Sequence, residues 1–505
     1  MKSDLLKRYE GNIEGVLGCF DRVVVTGTLT EVAYPEAMAA VLRRENIRCF
    51  DIGQFAEPLR EGIRDNALKV AREAGAEVQY LSKSKGVRKE ELVGNVLAKR
   101  GMHPGLVHVL SVMEACSTFK PWHDKTNNKT GLKMVPGKCG TYYFYLIDEE
   151  LGLMYVRVPT WLPNRLQIYF NAHNWLASQL RKEGITFKME DNAFVEIADW
   201  KRAQELASNF HVEEWERKFD DLAAQFCPFL KKFTQGYHWS VMQVEHSLDV
   251  VFKEREQLAP LYEEISRQAV LTVRVPDMAR FWGKRFSPEA EAQSDFKTLV
   301  EGTRIKHLLG RQSIKMYDKG GRVLRIEATS NDITFFRHHR KVVGRDGKEQ
   351  YKTAALKKSI YSLSDVAEIL GAACGRYLDF IGTLEDNTPQ RYDLDQISRT
   401  VRDENDRTWR GFNLFLKEDF KVVQAILHGE FTINGLNNRR LQTLLPDKSA
   451  SQIARILRRL RNHGLIKKVG NTYRYYLSAL GQRLLIAARK LTEHLIIPSL
   501  QTQIA

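Results

Sequence analysis

SASQIARILRRLRNHGLIKKVGNTYRYYLS, residues 449–478, reads as one helix followed by one tight hairpin. Ser449 stands at the N-cap and Gly464 follows where helices end in a left-handed residue. Between them Ile453, Ile456, Leu457 and Leu460 fall at i, i+3, i+4 and i+7 and make one apolar stripe. At about 100° per residue, Ser451, Gln452, Arg455, Arg458, Arg459 and Asn462 then take the opposite side. Such side chains are the forks and donors that read guanine, adenine and phosphate. LIKKVGNTYRYYLS next reads as two short strands around the turn pair Gly470-Asn471, with Lys467, Lys468 and Arg474 near the tip.

The upstream parts fit the same module. EDFKVVQAILHG supplies a first helix closed by Gly429, FTI a short strand able to pair with the hairpin, and LNNRRLQTLLP a second helix ended by Pro446. In this order, residues from about 415 to 498 resemble a MarR-like winged helix-turn-helix, with SASQIARILRRLRNHGLI as the recognition-helix segment and KKVGNTYRYYLS as the wing. The resemblance implies a helix in the DNA major groove and a wing on the backbone or minor groove. It carries those roles to Arg455, Arg459, Asn462, Lys467, Lys468 and Arg474, and makes double-stranded DNA the expected partner. RNA stays open as a partner, because phosphates dominate affinity for both nucleic acids. The competing readings are a solvated basic face and a winged helix used for protein contact.

Charge distribution favours the nucleic-acid reading. Net charge is +15, yet residues 431–490 hold thirteen Lys or Arg against Asp447 alone, which is +12 and leaves +3 for the remaining chain. A field so concentrated calls for a polyanion.

At 505 residues with 43% hydrophobic content the chain exceeds what a single core supports, roughly 250–300 residues, so a multidomain protein is expected. No run reaches the roughly 20 apolar residues of a membrane helix, and MKSDLLKRYEGNIEG lacks a signal-peptide core. Six cysteines without a C-x-x-C pair suit a reducing compartment. A cytoplasmic protein without a membrane partner is the expectation, and its oligomeric state stays open.

The expected fold class is multidomain α/β plus α+β. Residues 1–197 read as an α/β domain: from about 15 to 115 β-rich and helical runs alternate, as in an open α/β layer, the polar loop 119–140 breaks it, and TYYFYLI and LMYVRVP follow as a hairpin around DEELG. That loop reads as a lid over a ligand or nucleic acid, or as a disordered segment. Residues 198–295 read as a helical region, helical throughout to about 270. Residues 296–385 form an α+β region with a basic sheet face and a charged hairpin around RDGKEQ, 386–414 a linker, and 415–505 the winged helix.

Two further signals concern the body. In QSIKMYDKGGRVLRIEATS, strand alternation sets Lys315, Tyr317 and Lys319 on one face and Arg325 with Glu327 on one face of the next strand, a surface able to hold a nucleic-acid strand. Residues 313–328 also faintly resemble rolling-circle replication initiators. None of the thirteen histidines has another two residues away, however, so the metal motif of those nickases is absent.

The second signal is a set of carboxylates at strand ends: Asp21, Asp51, Glu114 and Asp148. Converging at one sheet edge they would hold two Mg²⁺ or Mn²⁺ ions in the manner of nucleases and transposases. At strand ends such residues more often cap helices or face water. His103, His108, Cys116, His123 and Cys139 include zinc-type ligands without trusted spacing, and GLKMVPGKC departs from a P-loop at Cys139. Three functions follow: a DNA-docking protein of mobile-element or replication work, a metal-dependent nuclease or transposase, and a non-catalytic MarR-like transcriptional regulator.

Overall fold

A computed structural model describes residues 4–82, 87–233, 236–284, 292–299, 302–343, 349–383, 397–413, 416–426, 436–469, 473–478 and 480–481. The chain divides into two compact units, residues 14–251 with 327–372, and residues 1–13 with 252–326 and 373–505.

The first unit is built on long strands. These are β1 (Ile13–Thr28), β2 (Val78–Tyr80), β3 (Gly105–Asp124), β4 (Lys129–Asp148), β5 (Gly152–Pro159), β6 (Leu166–Phe170), a separate hairpin of β7 (Phe187–Glu190) and β8 (Ala193–Ile197), and β9 (His238–Phe252). Val23, Val24 and Val25 of β1 are all buried, so both faces of this β-branched run meet protein. The sheet order is β9-β1-β6-β5-β4-β3-β2. The last four residues of β13 (Val323–Ser330) lie beside β9 in the same unit.

The protein is therefore α/β with a large mixed sheet, but it is not a uniform layer of βαβ units. Pairs β1–β6, β3–β4, β4–β5 and β5–β6 are antiparallel, and β2–β3 is parallel. A parallel pair needs a crossover of a dozen residues or more, which helix Lys89–Arg100 supplies between β2 and β3. Short turns join β3 to β4 and β4 to β5, and a short turn forces antiparallel neighbours.

Two expectations change here. Residues 119–140 are no loop. Strands β3 and β4 run through them in register from Asp124–Lys129 inward. Asp124 closes the turn by accepting from Thr126 N (2.9 Å) and Asn127 Nδ2 (2.7 Å), while Asn128 takes the left-handed conformation that asparagine tolerates. Residues 198–270 are not helical throughout. After helices Trp200–Ser208 and Val212–Phe226 comes the 15-residue strand β9. Its first half alternates exposed and buried and its second half is buried nearly throughout, a pattern that blurs the period-2 signal.

Helix Val212–Phe226 shows how the layer above the sheet is held. Trp215, Phe219, Leu222 and Phe226 recur at helical spacing and are buried, with Phe226 4.7 Å from Phe144 and Trp215 5.0 Å from Phe170 between ring centroids.

In the second unit β10 (Ala292–Leu299), β11 (Gly302–Leu309) and β12 (Gln312–Lys319) form an antiparallel meander. Helix Arg255–Thr272 lies against it, Tyr262 donating to the Met316 carbonyl at 3.2 Å. Further on, helices Lys417–Ile426, Asn438–Leu444 and Ala450–Asn462 and the antiparallel hairpin Ile466–Lys468 with Tyr475–Leu477 share one core, which includes Val423, Ile426, Leu441, Ile453, Leu457 and Ile466. Leu436 bridges to Tyr475. Gly429, the FTI segment, the Gly470-Asn471 turn, residues 384–396 and residues 482–505 lie outside the described residues, as does the Asp346-Gly347 apex of the hairpin Arg337–Val343 with Glu349–Ala355. No helix among the described residues is long and apolar enough to cross a membrane.

Two glycines give opposite predictions. A Cβ on Gly15 of β1 would overlap the Trp200 indole, whereas one on Gly62, inside helix Ile52–Glu73, meets nothing within 4 Å. Gly15→Ala should cost about 1–3 kcal/mol by overpacking, and Gly62→Ala should stabilise by about 0.5–1 kcal/mol by restricting the unfolded chain. Urea unfolding of both variants checks the sign.

Candidate functional sites

Adjacent strands β1, β9 and β13 place Asp21, Glu245 and Glu327 together, with one carboxylate oxygen of each within 4.8 Å of the others. This is the group with metal-ligating potential among the described residues. All three side chains are largely buried. Asp21 Oδ1 accepts from Asn171 Nδ2 at 3.0 Å and from Asn192 Nδ2 at 2.6 Å. Asn171 is also the N-cap of helix Ala172–Lys182, its Oδ1 accepting from His173 N at 2.8 Å, so the helix start and the carboxylate are positioned by one side chain. Glu245 accepts from Thr329 Oγ1 at 3.4 Å and faces Arg22 Nε at 3.6 Å. Burial opposes the Arg22 charge, but Glu245 first, then Tyr169, Tyr155 and Asp21, hold its pKa above the ordinary value.

Behind this cluster lies a buried imidazole. His173 Nδ1 is 3.5 Å from Asp21 Oδ1, and its Nε2 is 3.7 Å from Asp249 Oδ2 and 3.3 Å from Ser247 Oγ. His246, the neighbour of Glu245 on β9, packs edge-on against Phe20 at 5.4 Å. Burial, reinforced by His173 and opposed by Asp249, pulls the His246 pKa down to about 4.

Three carboxylate donors form an all-oxygen set, which suits a hard divalent cation such as Mg²⁺ or Mn²⁺. An ion there would supply Lewis-acid stabilisation of a phosphoryl oxygen. Arg22 lies close enough to compete with it for Glu245.

Of the carboxylates singled out from the sequence, only Asp21 belongs to this group. Glu114 is neutralised by Lys89 Nζ (2.8 Å), Tyr143 Oη (2.9 Å) and Arg157 Nε (3.0 Å). Burial would raise its pKa, but Lys89 and then Arg157 hold it below the usual range. Asp148 caps a turn through Glu150 N and Leu151 N, both 2.9 Å, and meets Lys218 Nζ at 2.8 Å. Asp51 pairs with Arg48 at 2.6 Å. Of the zinc-type residues only Cys116 and Cys139 meet each other, while His108 bonds Gln79 and His123 bonds Thr130 further apart on the ribbon. Glu245 was hidden in a region read as helical, and Glu327 was read only as part of a basic face.

That basic face is also corrected. Arg325 and Glu327 are buried and Lys315 and Tyr317 only half-exposed, so Arg325 has no access to a nucleic-acid strand.

The C-terminal helix keeps its apolar stripe, with Ile453, Leu457 and Leu460 buried. Its start is a reciprocal cap: Ser449 Oγ accepts from Gln452 N at 3.3 Å and Gln452 Oε1 accepts from Ser449 N at 2.7 Å. Gln452 is thus turned back on its own helix, and Ser451 Oγ lies 3.0 Å from Ser449 Oγ. Arg455, Arg458 and Arg461 on the helix and Lys467, Lys468 and Arg474 on the hairpin are exposed. Among the described residues no carboxylate pairs with Arg455, Arg458, Arg461 or Lys467.

Arg459 departs from the outward position expected of it. Its guanidinium forks onto Asp419 at 2.8 and 3.0 Å, donates to the Arg410 and Gly411 carbonyls, and lies 3.8 Å from the Phe412 ring centroid. The angular spacing set it opposite the stripe, but a long side chain on the flank reaches inward when a buried acid and an aromatic ring await it. Asn462 is likewise half-buried, and its Nδ2 has no hydrogen-bond partner among the described residues.

No protein-family model, curated protein or solved structure matches this chain.

Removing Arg459 would leave the buried Asp419 with Arg410 at 3.3 Å as its cation among the described residues and the Asn413 N–H at 3.0 Å. Arg459→Ala should therefore cost about 3 kcal/mol of folding stability, and Arg455→Ala less than about 0.5 kcal/mol, measured by urea unfolding. His246 yields a pH prediction. Its folded pKa of about 4 lies below the roughly 6.5 of an unfolded histidine, so the unfolded chain binds the extra proton between those values. Stability should be full above pH about 6.5 and fall towards pH 4, and His246→Gln should flatten that slope in chemical unfolding.

Proposed function

We propose that this chain docks double-stranded DNA through the helix Ala450–Asn462 and the following hairpin, used as a winged helix, in mobile-element or replication work. One observation carries the reading: Arg455, Arg458, Arg461, Lys467, Lys468 and Arg474 are all exposed on consecutive elements of a small module. Arginines on the helix have the fork that reads guanine, and lysines on the hairpin suit phosphates. The 414 residues before this module are more than a ligand-sensing repressor of the MarR-like class needs, which favours the mobile-element setting over plain regulation.

Full-length protein titrated with duplex DNA at several salt concentrations should show log K falling against log salt with a slope of roughly −4 to −5, four to six phosphates at about −0.9 each. A slope near zero defeats the reading. On a cognate site Arg455→Ala should cost about 1–3 kcal/mol and much less on random DNA, while Lys467→Ala should weaken both alike.

The clustering of Asp21, Glu245 and Glu327 favours a second activity on the same chain, divalent-ion-dependent cleavage or joining of nucleic acid. Glu245→Gln and Glu327→Gln should abolish a Mg²⁺- or Mn²⁺-dependent reaction and leave duplex affinity unchanged. Absence of any divalent-dependent reaction would return the protein to the non-catalytic regulator.

A further inference from the structure

The outer half of the β3–β4 ribbon carries a cationic, aromatic face that neither the duplex-docking module nor the carboxylate group uses. Residues 115–138 contain Lys120, Lys125, Lys129, Lys133 and Lys138 against the single acid Asp124. All five lysines are exposed, and none takes part in an ion pair among the described residues. Asp124, directly opposite Lys129 and held ionised by Thr126 and Asn127 inside the turn, offsets one of these charges and leaves the segment at +4.

Register sharpens the point. Lys120 sits directly opposite Lys133, and the next same-face pair is Trp122 opposite Gly131. Like charges directly opposite on antiparallel strands repel, so the ribbon alone leaves this pair unsatisfied. The Trp122 indole lies across Gly131, where a Cβ would come within 3.1 Å of the ring, and Nε1 donates to the Leu132 carbonyl at 3.1 Å. The ring is thereby held flat on the strand while remaining 38% exposed. The opposite face buries Phe119 and Leu132, which anchors the ribbon and leaves the lysine face to solvent.

Lysines at a sheet edge also guard against aggregation. That role does not call for two of them face to face beside a fixed indole. We infer that this face holds a single-stranded nucleic acid, with phosphates at Lys120, Lys133 and Lys129 and an unpaired base stacked on Trp122. Lysine supplies the phosphate contact, and an indole can stack on a base only when that base is free of a duplex. DNA and RNA single strands share this chemistry.

The test uses full-length protein carrying Arg455→Ala and Arg458→Ala, so that the C-terminal module contributes little, with fluorescent oligo(dT) and oligo(U) of about 20 nucleotides, longer than the roughly 4–16 that one small site covers. Adding Trp122→Ala should weaken binding roughly 5- to 150-fold, the equivalent of one stacked base, and Trp122→Phe should restore most of it. Adding Lys120→Ala with Lys133→Ala should flatten the salt slope by roughly 1.4, two phosphates at about 0.7 each. Each ribbon variant in the otherwise unaltered protein should leave duplex affinity and melting temperature as they were, which separates this site from the duplex-docking one. Loss of binding to only one of the two oligonucleotides would assign the strand as DNA or RNA and still support the site. Unchanged affinity in both Trp122 variants with an unchanged salt slope overturns the inference. Displacement of the oligonucleotide by poly-glutamate at equal charge concentration would also overturn it, in favour of an acidic protein partner.

Discussion

Asp21, Glu245 and Glu327 come from three neighbouring strands, and their burial side by side is the constraint around which the first unit is arranged. Ionised groups removed from water need hydrogen bonds or counter-charge, since leaving one unpaired costs several kcal/mol. Asn171, Asn192, Thr329 and Arg22 meet part of that need. Asn171 does so while starting the helix that carries His173, so the helix cannot shift without disturbing Asp21. A divalent ion is the chemistry such an oxygen-rich group would accept most readily.

The same constraint acts differently in the C-terminal module. Asp419 is buried there too, and it is met by the Arg459 fork, by Arg410 and by the Asn413 N–H, with Phe412 beneath the Arg459 guanidinium. That pairing takes one arginine out of a basic helix and uses it to tie the helix to the segment before Lys417–Ile426. Arg455, Arg458 and Arg461 of the same helix face outward, and among the described residues no carboxylate pairs with them. One helix thus divides its arginines between holding the module together and presenting charge to a partner.

On the outer half of the β3–β4 ribbon one face carries Lys120, Lys129 and Lys133, and the opposite face is anchored by buried apolar side chains. Phe119 and Leu132 secure one face, and the lysines crowd the other against their own mutual repulsion. Positive charge in this protein is therefore not confined to its C-terminal end, although composition alone places most of the excess there.

Local rules were enough to determine the helix 450–462 with its cap, stripe and following hairpin, because capping, 3.6-residue periodicity and turn chemistry all act within a few residues. The hairpin 337–355 and the alternating α and β character of the N-terminal region were legible for the same reason. Strand order was not, since antiparallel neighbours and crossovers are chosen by which distant surfaces bury each other. The ribbon 119–140 was misread because its polar residues suit an exposed strand as well as a loop, and only pairing tells them apart. Arg459 was placed outward by angle and drawn inward by Asp419, forty residues earlier in the chain. Asp21 could be suspected from its place on a strand, but that Glu245 and Glu327 rather than Glu114 and Asp148 stand beside it was decided by the tertiary structure alone. Proximity among residues two and three hundred positions apart is a property of the packed sheet and leaves no trace in local sequence.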